Sequence, residues 1–271
     1  MSSSNRGVAL VTGASTGIGR ATAATLVEAG YRVFGTSRRL MSDGPAGVTM
    51  LPCDVGDEAS VTRLIDDVVA AAGRIDLLVN NAGIGLMGGA EESSVAQAQQ
   101  LFNINFFGLL RVTNAVLPIM RRQKVGRIVN MSSVLGFIPA PFTALYAASK
   151  HAVEGYSESL DHEVRTQGIR VVMVEPAYTR TSFEDNLSKA DHLIETYDSG
   201  RANAAAVIRK AMETGDLPQI VAHVVLKAAT DSKPRLRYPA GKMARQLSLL
   251  RRFVPASAFD KSLRKQSGLP V

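Results

Sequence analysis

The chain has 271 residues, of which 46% are apolar and 20% are charged, so it can bury a sizeable core in one large α/β domain. It has one cysteine, Cys53, which excludes an intramolecular disulfide and is typical of a reducing compartment. The first residues lack the apolar core of a secretory signal, and no stretch reaches the roughly 18 apolar residues of a membrane span. We therefore expect a cytoplasmic protein without a transmembrane segment.

The formal net charge of +7 is unevenly distributed. Residues 227–271 contain eleven Lys and Arg against two Asp, whereas the other 226 residues contain 20 Lys and Arg against 22 Asp and Glu. The basic excess therefore belongs to the C-terminal segment. This distribution argues against a general nucleic-acid-binding surface, and we predict neither a nucleic-acid partner nor a metal site.

Short apolar runs alternate with stretches of helical spacing along the first two thirds of the chain. The predicted strands are 8–11, 31–36, 48–52, 75–79, 127–131 and 169–174. The predicted helices between them are 17–29, 57–72, 103–122 and 145–166. Apolar strands that alternate with helices favour a mainly parallel sheet covered on both faces. Right-handed connections make this a doubly wound, Rossmann-like α/β fold in a single domain.

The pattern after residue 174 is less regular. We predict a short edge strand at 235–238, because prolines bound this segment on both sides. The predicted helices of this part are 191–215, 217–229, 243–252 and 257–265.

A glycine-rich turn follows the first predicted strand and opens the first predicted helix. Gly13 would allow a sharp turn, Gly17 would let a phosphate approach the backbone, and Gly19 would let the helix pack closely on the sheet. The helix N-terminus favours a phosphate here, although a plain turn before a helix is the alternative for this GxxxGxG spacing. The predicted cofactor contacts of this turn are Gly13, Ser15, Thr16, Gly17, Ile18 and Gly19.

The end of the second predicted strand indicates which nicotinamide cofactor is used. An NAD site usually has a carboxylate at this point, whereas this strand ends in Thr-Ser followed by Arg38 and Arg39. The guanidinium fork suits a 2′-phosphate, so we predict NADP(H) rather than NAD, with Arg38 as the phosphate ligand. Alternatively, both arginines are solvated loop charges. Asp54 and Val55, after the third strand, are predicted to border the adenine ring.

Tyr146 and Lys150 lie four residues apart at the start of a predicted helix, so their side chains share a face. A tyrosine normally titrates near about 10. A nearby ammonium and the positive nicotinamide of an oxidised cofactor would lower the pKa of Tyr146, which could then donate or accept a proton near neutral pH. The same spacing also occurs by chance in helices, so its meaning depends on the surrounding residues.

Other polar residues fall at the same edge of the predicted sheet. Residues 80–83 follow the fourth strand, and Ser132 and Ser133 follow the fifth, where open α/β sheets collect ligands. Either serine could hold a substrate carbonyl oxygen. Asn105 lies in an otherwise apolar helix and needs a partner when buried. That partner could be a backbone carbonyl or a water that supplies protons to Lys150.

Together these segments resemble the short-chain dehydrogenase/reductase family in its single-domain form. TGASTGIG, NNAG, NFFG, the serine pair, YAASK and the Glu-Pro turn occur in family order over residues 7 to about 182. The resemblance implies a catalytic set of Asn105, Ser133, Tyr146 and Lys150, in which Ser133 stands thirteen residues before the tyrosine. Tyr146 would protonate a carbonyl oxygen as hydride arrives from the nicotinamide, and Lys150 would also bond the nicotinamide ribose.

The resemblance also implies cofactor contacts beyond the glycine turn. Asn81 would line the cofactor and help to hold the central strand. The family usually has Pro-Gly after the sixth strand, and Ala177 stands in place of this glycine, which leaves the path of the loop open. The further predicted contacts are Asn81, Ala82, Gly83, Tyr146, Lys150, Pro176, Ala177, Thr179 and Thr181.

The predicted substrate site lies between the nicotinamide and a lid of about residues 181–215. Its predicted contacts are Ser133, Leu135, Phe142, Tyr146, Tyr178 and Phe183. An apolar wall, about half of which is expected to pack as core, also includes Phe137, Ile138 and Pro139. Such a pocket suits a hydrophobic carbonyl or secondary alcohol. The C-terminal segment is similar to the 17β-hydroxysteroid dehydrogenase-like branch, which favours a steroid- or lipid-like substrate.

Two other hypotheses remain at this point. A non-catalytic NADP-binding regulatory or scaffolding protein could use the same fold, although the intact Asn-Ser-Tyr-Lys set argues against it. The basic C-terminal extension, about 240–271, could lie on a membrane surface. Packing on the domain with a solvated charged face is favoured instead, because Pro255 interrupts any long helix. The resemblance also implies a homodimer or homotetramer through 103–122 and 145–166.

Overall fold

The computed structural model describes residues 6–39, 43–181 and 187–267. The strands within these residues are β1 (Val8–Val11), β2 (Arg32–Ser37), β3 (Val48–Pro52), β4 (Leu77–Asn80), β5 (Gly85–Met87), β6 (Gly126–Met131), β7 (Ile169–Pro176), β8 (Leu187–Lys189) and β9 (Arg237–Ala240). Seven of them form a parallel sheet in the order β3-β2-β1-β4-β6-β7-β9, and β5 pairs with β8 in a separate sheet. The predicted parallel, doubly wound sheet is confirmed.

The described helices are α1 (Gly17–Glu28), α2 (Glu58–Ala72), α3 (Val95–Phe102), α4 (Leu109–Gln123), α5 (Ala144–Val164), α6 (Asp198–Glu213), α7 (Pro218–Thr230), α8 (Lys242–Phe253) and α9 (Ala256–Gln266). They cover both faces of the sheet because successive strand residues point to opposite sides. Leu10 and Ile128 pack in one core with residues of α2, α4 and α5, whereas Val11 and Val129 pack with α1 and α7 in the other. None of these helices combines the length and the apolar composition that a bilayer crossing requires.

Three predicted elements differ from the structure. The predicted helix 103–122 is interrupted, since a π-helical turn, Asn103–Gly108, separates α3 from α4. Residues 191–215 become helical only at α6, after a short 3₁₀ turn at Glu195–Tyr197. The edge strand lies at β9 rather than at 235–238, because its register is set by pairing with β7, where Met173 is opposite Arg237. Local apolar spacing does not record such long-range pairing.

The carboxyl ends of β1, β4 and β6 are tied together by buried polar side chains. The Thr12 hydroxyl accepts the backbone N–H groups of Asn81 and Ala82, both at 3.0 Å. The Asn80 amide donates to the Asn130 side chain at 2.9 Å and so joins β4 to β6. These bonds fix the edge of the sheet at which the sequence places the functional residues.

Candidate active site

The glycine-rich turn forms a phosphate-sized cradle at the start of α1. Gly13 and Gly17 have φ values of +67° and +54°, which favour glycine. Thr16, the N-cap of α1, makes no side-chain cap within the described residues, and the first turn of the helix holds no acidic residue. Thr16 thus leaves the first N–H groups of α1 uncapped among the described residues, and the helix dipole favours an anion at this end. The turn therefore fits the pyrophosphate of a dinucleotide.

Gly19 and Asn81 hold this cradle against the sheet. The Asn81 amide donates to the carbonyl oxygens of Thr12 and Gly13, both at 3.0 Å. A Cβ at Gly19 would lie 2.0 Å from the Gly13 oxygen and 2.4 Å from the Asn81 amide nitrogen. Only a glycine lets α1 approach the turn this closely.

A cavity of about 1110 Å³ extends from the cradle across the carboxyl edge of the sheet. Pockets for single drug-sized ligands usually span about 300–1,000 Å³, so this cavity is large for one such ligand. All of the predicted cofactor contacts border it: Gly13, Ser15, Thr16, Gly17, Ile18, Gly19, Arg38, Asp54, Val55, Asn81, Ala82, Gly83, Tyr146, Lys150, Pro176, Ala177, Thr179 and Thr181.

Arg38 and Asp54, which follow β2 and β3, both border the cavity. Arg38 borders the cavity, whereas its neighbour Arg39 does not. The Asp54 carboxylate accepts the N–H of Gly56 at 2.8 Å, so it is engaged with its own loop. This arrangement favours Arg38 over Arg39 as a ligand for a 2′-phosphate.

Tyr146 and Lys150 occupy the first two turns of α5, beside the end of β6. The ammonium of Lys150 lies 5.7 Å from the centre of the Tyr146 ring and donates to the Met131 carbonyl at 2.9 Å. The Tyr146 side chain is hydrogen-bonded to Ser133. The Ser132 hydroxyl lies instead beside Gly136, 2.5 Å from where a Cβ on that residue would be. The structure thus brings Ser133, rather than Ser132, to the tyrosine.

The pKa of Tyr146 differs from the sequence-based expectation. Burial raises the pKa of Tyr146 to about 12, although the hydrogen bond to Ser133 opposes this effect. Burial also lowers the pKa of Lys150 to about 8, while the nearby charge of Glu154 opposes it. The expected depression of the tyrosine pKa included the charge of an oxidised cofactor and stays a prediction for that complex, whereas in the protein alone the loss of water penalises the phenolate most. At neutral pH Tyr146 is therefore a proton donor.

Asn105 lies in the π-helical turn and is buried. Its side-chain oxygen accepts the N–H of Ile84 at 2.8 Å, and its amide donates to the Ile84 carbonyl at 2.9 Å and to the Ser149 hydroxyl at 3.2 Å. The Asn105 side chain therefore bonds to a backbone carbonyl, which is one of the two partners that the sequence left open. These bonds hold the segment that follows Gly83 in place beside the cavity.

On the far side of Lys150, the carboxylates of Glu154, Glu158 and Glu175 surround the guanidinium of Arg237. The sequence did not reveal this arrangement. Glu154 and Glu175 are buried, with side chains 5% and 1% exposed. Arg237 pairs with Glu154 and donates to Glu175 at 2.8 Å and to Glu158 at 3.1 Å. Burial, followed by the charge of Glu154, raises the pKa of Glu175 to about 7. The sequence offered one signal of this cluster, because Glu154 follows Lys150 by one helical turn.

Comparison with known proteins identifies the family. A family model described as short chain dehydrogenase matches residues 7–192. The chain belongs to the short-chain dehydrogenase family. It is 36% identical over 242 residues to a 3-ketodihydrosphingosine reductase of Bacteroides thetaiotaomicron, a match that covers 89% of this chain and 90% of the relative.

Two solved structures of the same family contain a nicotinamide cofactor. A short-chain dehydrogenase/reductase of Burkholderia phymatum in complex with NAD is 26% identical, with a TM-score of 0.80 over 97% of each chain. A metagenomic short-chain oxidoreductase in complex with NADP is 30% identical, with a TM-score of 0.67 over 87% of this chain and 97% of the other. This short-chain dehydrogenase is therefore an oxidoreductase whose cradle fits a nicotinamide dinucleotide.

The substrate half of the dehydrogenase cavity is mostly apolar. Leu135, Ile138, Pro139 and Tyr178 border it as expected. One member of the predicted wall, Phe137, does not border this cavity. Phe137 lies in a cluster with the C-terminal helices. Phe183 falls outside the described residues.

Phe142, a predicted substrate contact, also lies away from the main cavity. Its backbone has a φ of +60°, a conformation that few residues other than glycine adopt. The ring meets Tyr197 edge-on at 6.2 Å between centroids, and it lies 2.7 Å from where a Cβ on Gly200 would be. In this structure the ring of Phe142 is therefore directed toward Tyr197 and the first turn of α6 rather than into the main cavity.

Helices α6, α8 and α9 border the substrate half. The predicted lid of about 181–215 contains α6, but the sequence-based contact list named no residue of the three helices. Their lining residues recur at helical spacing, which is the signal that could have revealed them. The apolar lining residues of the three helices, together with Val254 between α8 and α9, are Ala204, Val207, Ile208, Ala211, Met212, Met243, Leu247, Leu250, Val254, Ala258, Phe259 and Leu263.

Proposed function

We propose that this short-chain dehydrogenase is an NADPH-dependent reductase of hydrophobic ketones. One observation carries the proposal: the phenol of Tyr146, hydrogen-bonded to Ser133, lies between a phosphate cradle and an apolar cavity. A neutral phenol can give a proton to a carbonyl oxygen that is being reduced. This proton-donor role supports the direction of reduction in the proposal.

Each member of the catalytic set has a role in this proposal. Ser133 holds the carbonyl oxygen, and Tyr146 donates a proton to it. Lys150 stabilises the phenolate that remains and bonds the nicotinamide ribose. Asn105 positions the segment after Gly83 through its bonds to the backbone. NADPH, when bound, supplies the hydride.

The substrate class follows from the cavity and from the relatives. Apolar residues of α6, α8 and α9 dominate the walls beyond Tyr146, so a lipid-like chain would be desolvated there. A relative that is 36% identical is named as a reductase of 3-ketodihydrosphingosine. We infer that the substrate carries its keto group on a long apolar chain, with residues from about 181 to 215 and the C-terminal extension covering it.

A series of 2-alkanones of increasing length tests this function. With NADPH as the reductant, kcat/KM should rise by about fourfold per added methylene until the cavity is filled, since each buried methylene contributes about 0.8 kcal/mol. NADPH oxidation followed by absorbance measures the rates. If kcat/KM stayed constant or fell with chain length, the apolar cavity would not be the part of the protein that recognises the substrate.

The cofactor preference has its own prediction. Arg38→Ala should raise the KM for NADPH by about 10–100-fold, because a hydrogen bond to a charged partner is lost. The KM for NADH should change little, and Arg39→Ala, which alters a residue away from the cavity, is the matched control. Equal effects of Arg38→Ala on both cofactors would contradict the assignment of the 2′-phosphate ligand.

We also propose a cytoplasmic homodimer or homotetramer. The surface of α4 and α5 and of the turn before α4 supports this assembly, since Phe107 is exposed beside Phe106, whose ring meets Tyr156 edge-on at 5.9 Å. Exposed aromatic residues on a helix face are typical of interfaces. The single cysteine, Cys53, is buried, in keeping with a reducing compartment.

A further inference from the structure

Helix α8 has an inner face that is anchored to the domain. Ala244 is fully buried, and it lies with Leu247 in a cluster that also contains Val134 and Ile138. The guanidinium of Arg251 donates to the Phe137 carbonyl at 3.2 Å. Among the described residues, these contacts anchor one side of the helix to the domain.

The outer face of the same helix combines exposed apolar and basic side chains. Leu249 and Phe253 are 59% and 71% exposed, and neither borders the cavity. This face also exposes three basic residues, Lys242, Arg245 and Arg252. Lys242 lies one helical turn from Arg245, and both arginines lie one turn from Leu249. The guanidinium of Arg252 lies 5.4 Å from the centre of the Phe253 ring. Large apolar groups on a solvated surface indicate a site of association.

The charge of this region is strongly positive. Residues 242–267 contain seven Lys and Arg against one Asp. In α9, Lys261, Arg264 and Lys265 are exposed, whereas Phe259 and Leu263 border the cavity. Both helices thus turn apolar residues toward the cavity and basic residues away from it. An occupant of the outer face must carry negative charge and accept apolar side chains.

The cavity connects this surface with the catalytic residues. Met243 and Leu250 are exposed and at the same time border the cavity that contains Tyr146. On α6, across this opening, Val207 is likewise exposed and borders the same cavity. The opening of the substrate half is therefore rimmed by exposed apolar side chains next to the basic outer face.

We propose that the outer face of α8, with the basic face of α9, docks on an anionic lipid surface and places the mouth of the cavity against it. Leu249 and Phe253 enter the boundary between headgroups and acyl chains, while the basic residues meet lipid phosphates. An apolar substrate then passes from the bilayer into the cavity without crossing water. This proposal goes beyond the proposed reductase function, and docking is measurable without turnover.

Sedimentation of the full chain with vesicles tests the docking. The vesicles contain phosphatidylcholine alone or with about 30 mol% phosphatidylglycerol. The wild type should bind the anionic vesicles and release them as salt is raised. Leu249→Ser combined with Phe253→Ser, and separately Arg245→Glu combined with Arg252→Glu, should each weaken binding more than about tenfold. Val95→Ser, an equally exposed apolar residue on α3, should bind like the wild type.

The reduction of a water-soluble ketone is measured in each variant, and it should be unchanged because the substituted residues do not border the cavity. Absence of binding to anionic vesicles overturns the proposal, as does equal binding to neutral vesicles. So does a wild-type oligomer that dissociates in the Leu249→Ser, Phe253→Ser variant, since a second copy of the chain would then be the occupant. If the protein binds anionic vesicles but reduces no ketone, the proposed reductase function is contradicted and the docking proposal is not.

Discussion

Replacing Tyr146 with Phe should lower kcat for ketone reduction by about 10²–10⁴-fold, which is the usual contribution of a positioned proton donor. The ring and its packing are kept, so the Kd for NADPH should stay within about threefold of the wild-type value. Stopped-flow single turnovers measure the chemical step, and fluorescence titration measures cofactor binding. In this one variant, kcat should therefore fall while the Kd for NADPH stays nearly constant.

Tyr156→Phe is the matched control for this experiment. Tyr156 lies on the same helix, and burial raises its pKa to about 12 as well. It packs with Phe106 and does not border the cavity. Turnover should be unchanged in this variant. The comparison isolates the position of the hydroxyl from the general loss of a phenol on α5.

The outcome also distinguishes the enzyme from a non-catalytic NADP-binding protein. If ketone reduction were as fast in Tyr146→Phe as in the wild type, another group would have to protonate the product. A chain that binds NADPH yet reduces none of the ketones, with or without the substitution, would favour a regulatory or scaffolding role. The hydrogen bond between Tyr146 and Ser133 would then have a structural purpose only.

Local patterns were enough to predict the parts of the site that depend on short segments. The glycine turn, the strand ends and the four-residue spacing of Tyr146 and Lys150 each specify geometry within a few residues. Once the parallel sheet is inferred, its carboxyl edge brings these segments together. The structure places all of the predicted cofactor contacts around one cavity for this reason.

Contacts between distant segments could not be predicted in the same way. The pKa of Tyr146 depends on desolvation by surrounding side chains, which local spacing does not measure. Arg237 reaches Glu154 and Glu175 only because β9 pairs with β7 at the edge of the sheet. The ring of Phe142 turns away because of its own backbone conformation and the position of Tyr197. These features follow from tertiary packing rather than from periodicity.

Gly19→Ala should have the second large effect, on cofactor binding. The added Cβ would lie 2.0 Å from the Gly13 oxygen, and the backbone on both sides is fixed by the sheet and by α1. Relief requires α1 to move away from the turn, which displaces the N–H groups of the cradle from a bound phosphate. We expect the Kd for NADPH to rise by at least about 100-fold and the free energy of unfolding to fall by about 1–3 kcal/mol. Calorimetric titration and urea unfolding measure the two quantities.

Gly155→Ala provides the control that separates close packing from the ordinary cost of changing a glycine. Gly155 lies within α5, and a Cβ there would meet nothing within 4 Å. This substitution should raise the free energy of unfolding by about 0.5–1 kcal/mol, because alanine restricts the unfolded chain and favours helix. Size-exclusion chromatography of the same sample checks that the assembly is unchanged. If Gly19→Ala bound NADPH as tightly as Gly155→Ala, the contact between α1 and Gly13 would not be what shapes the cradle.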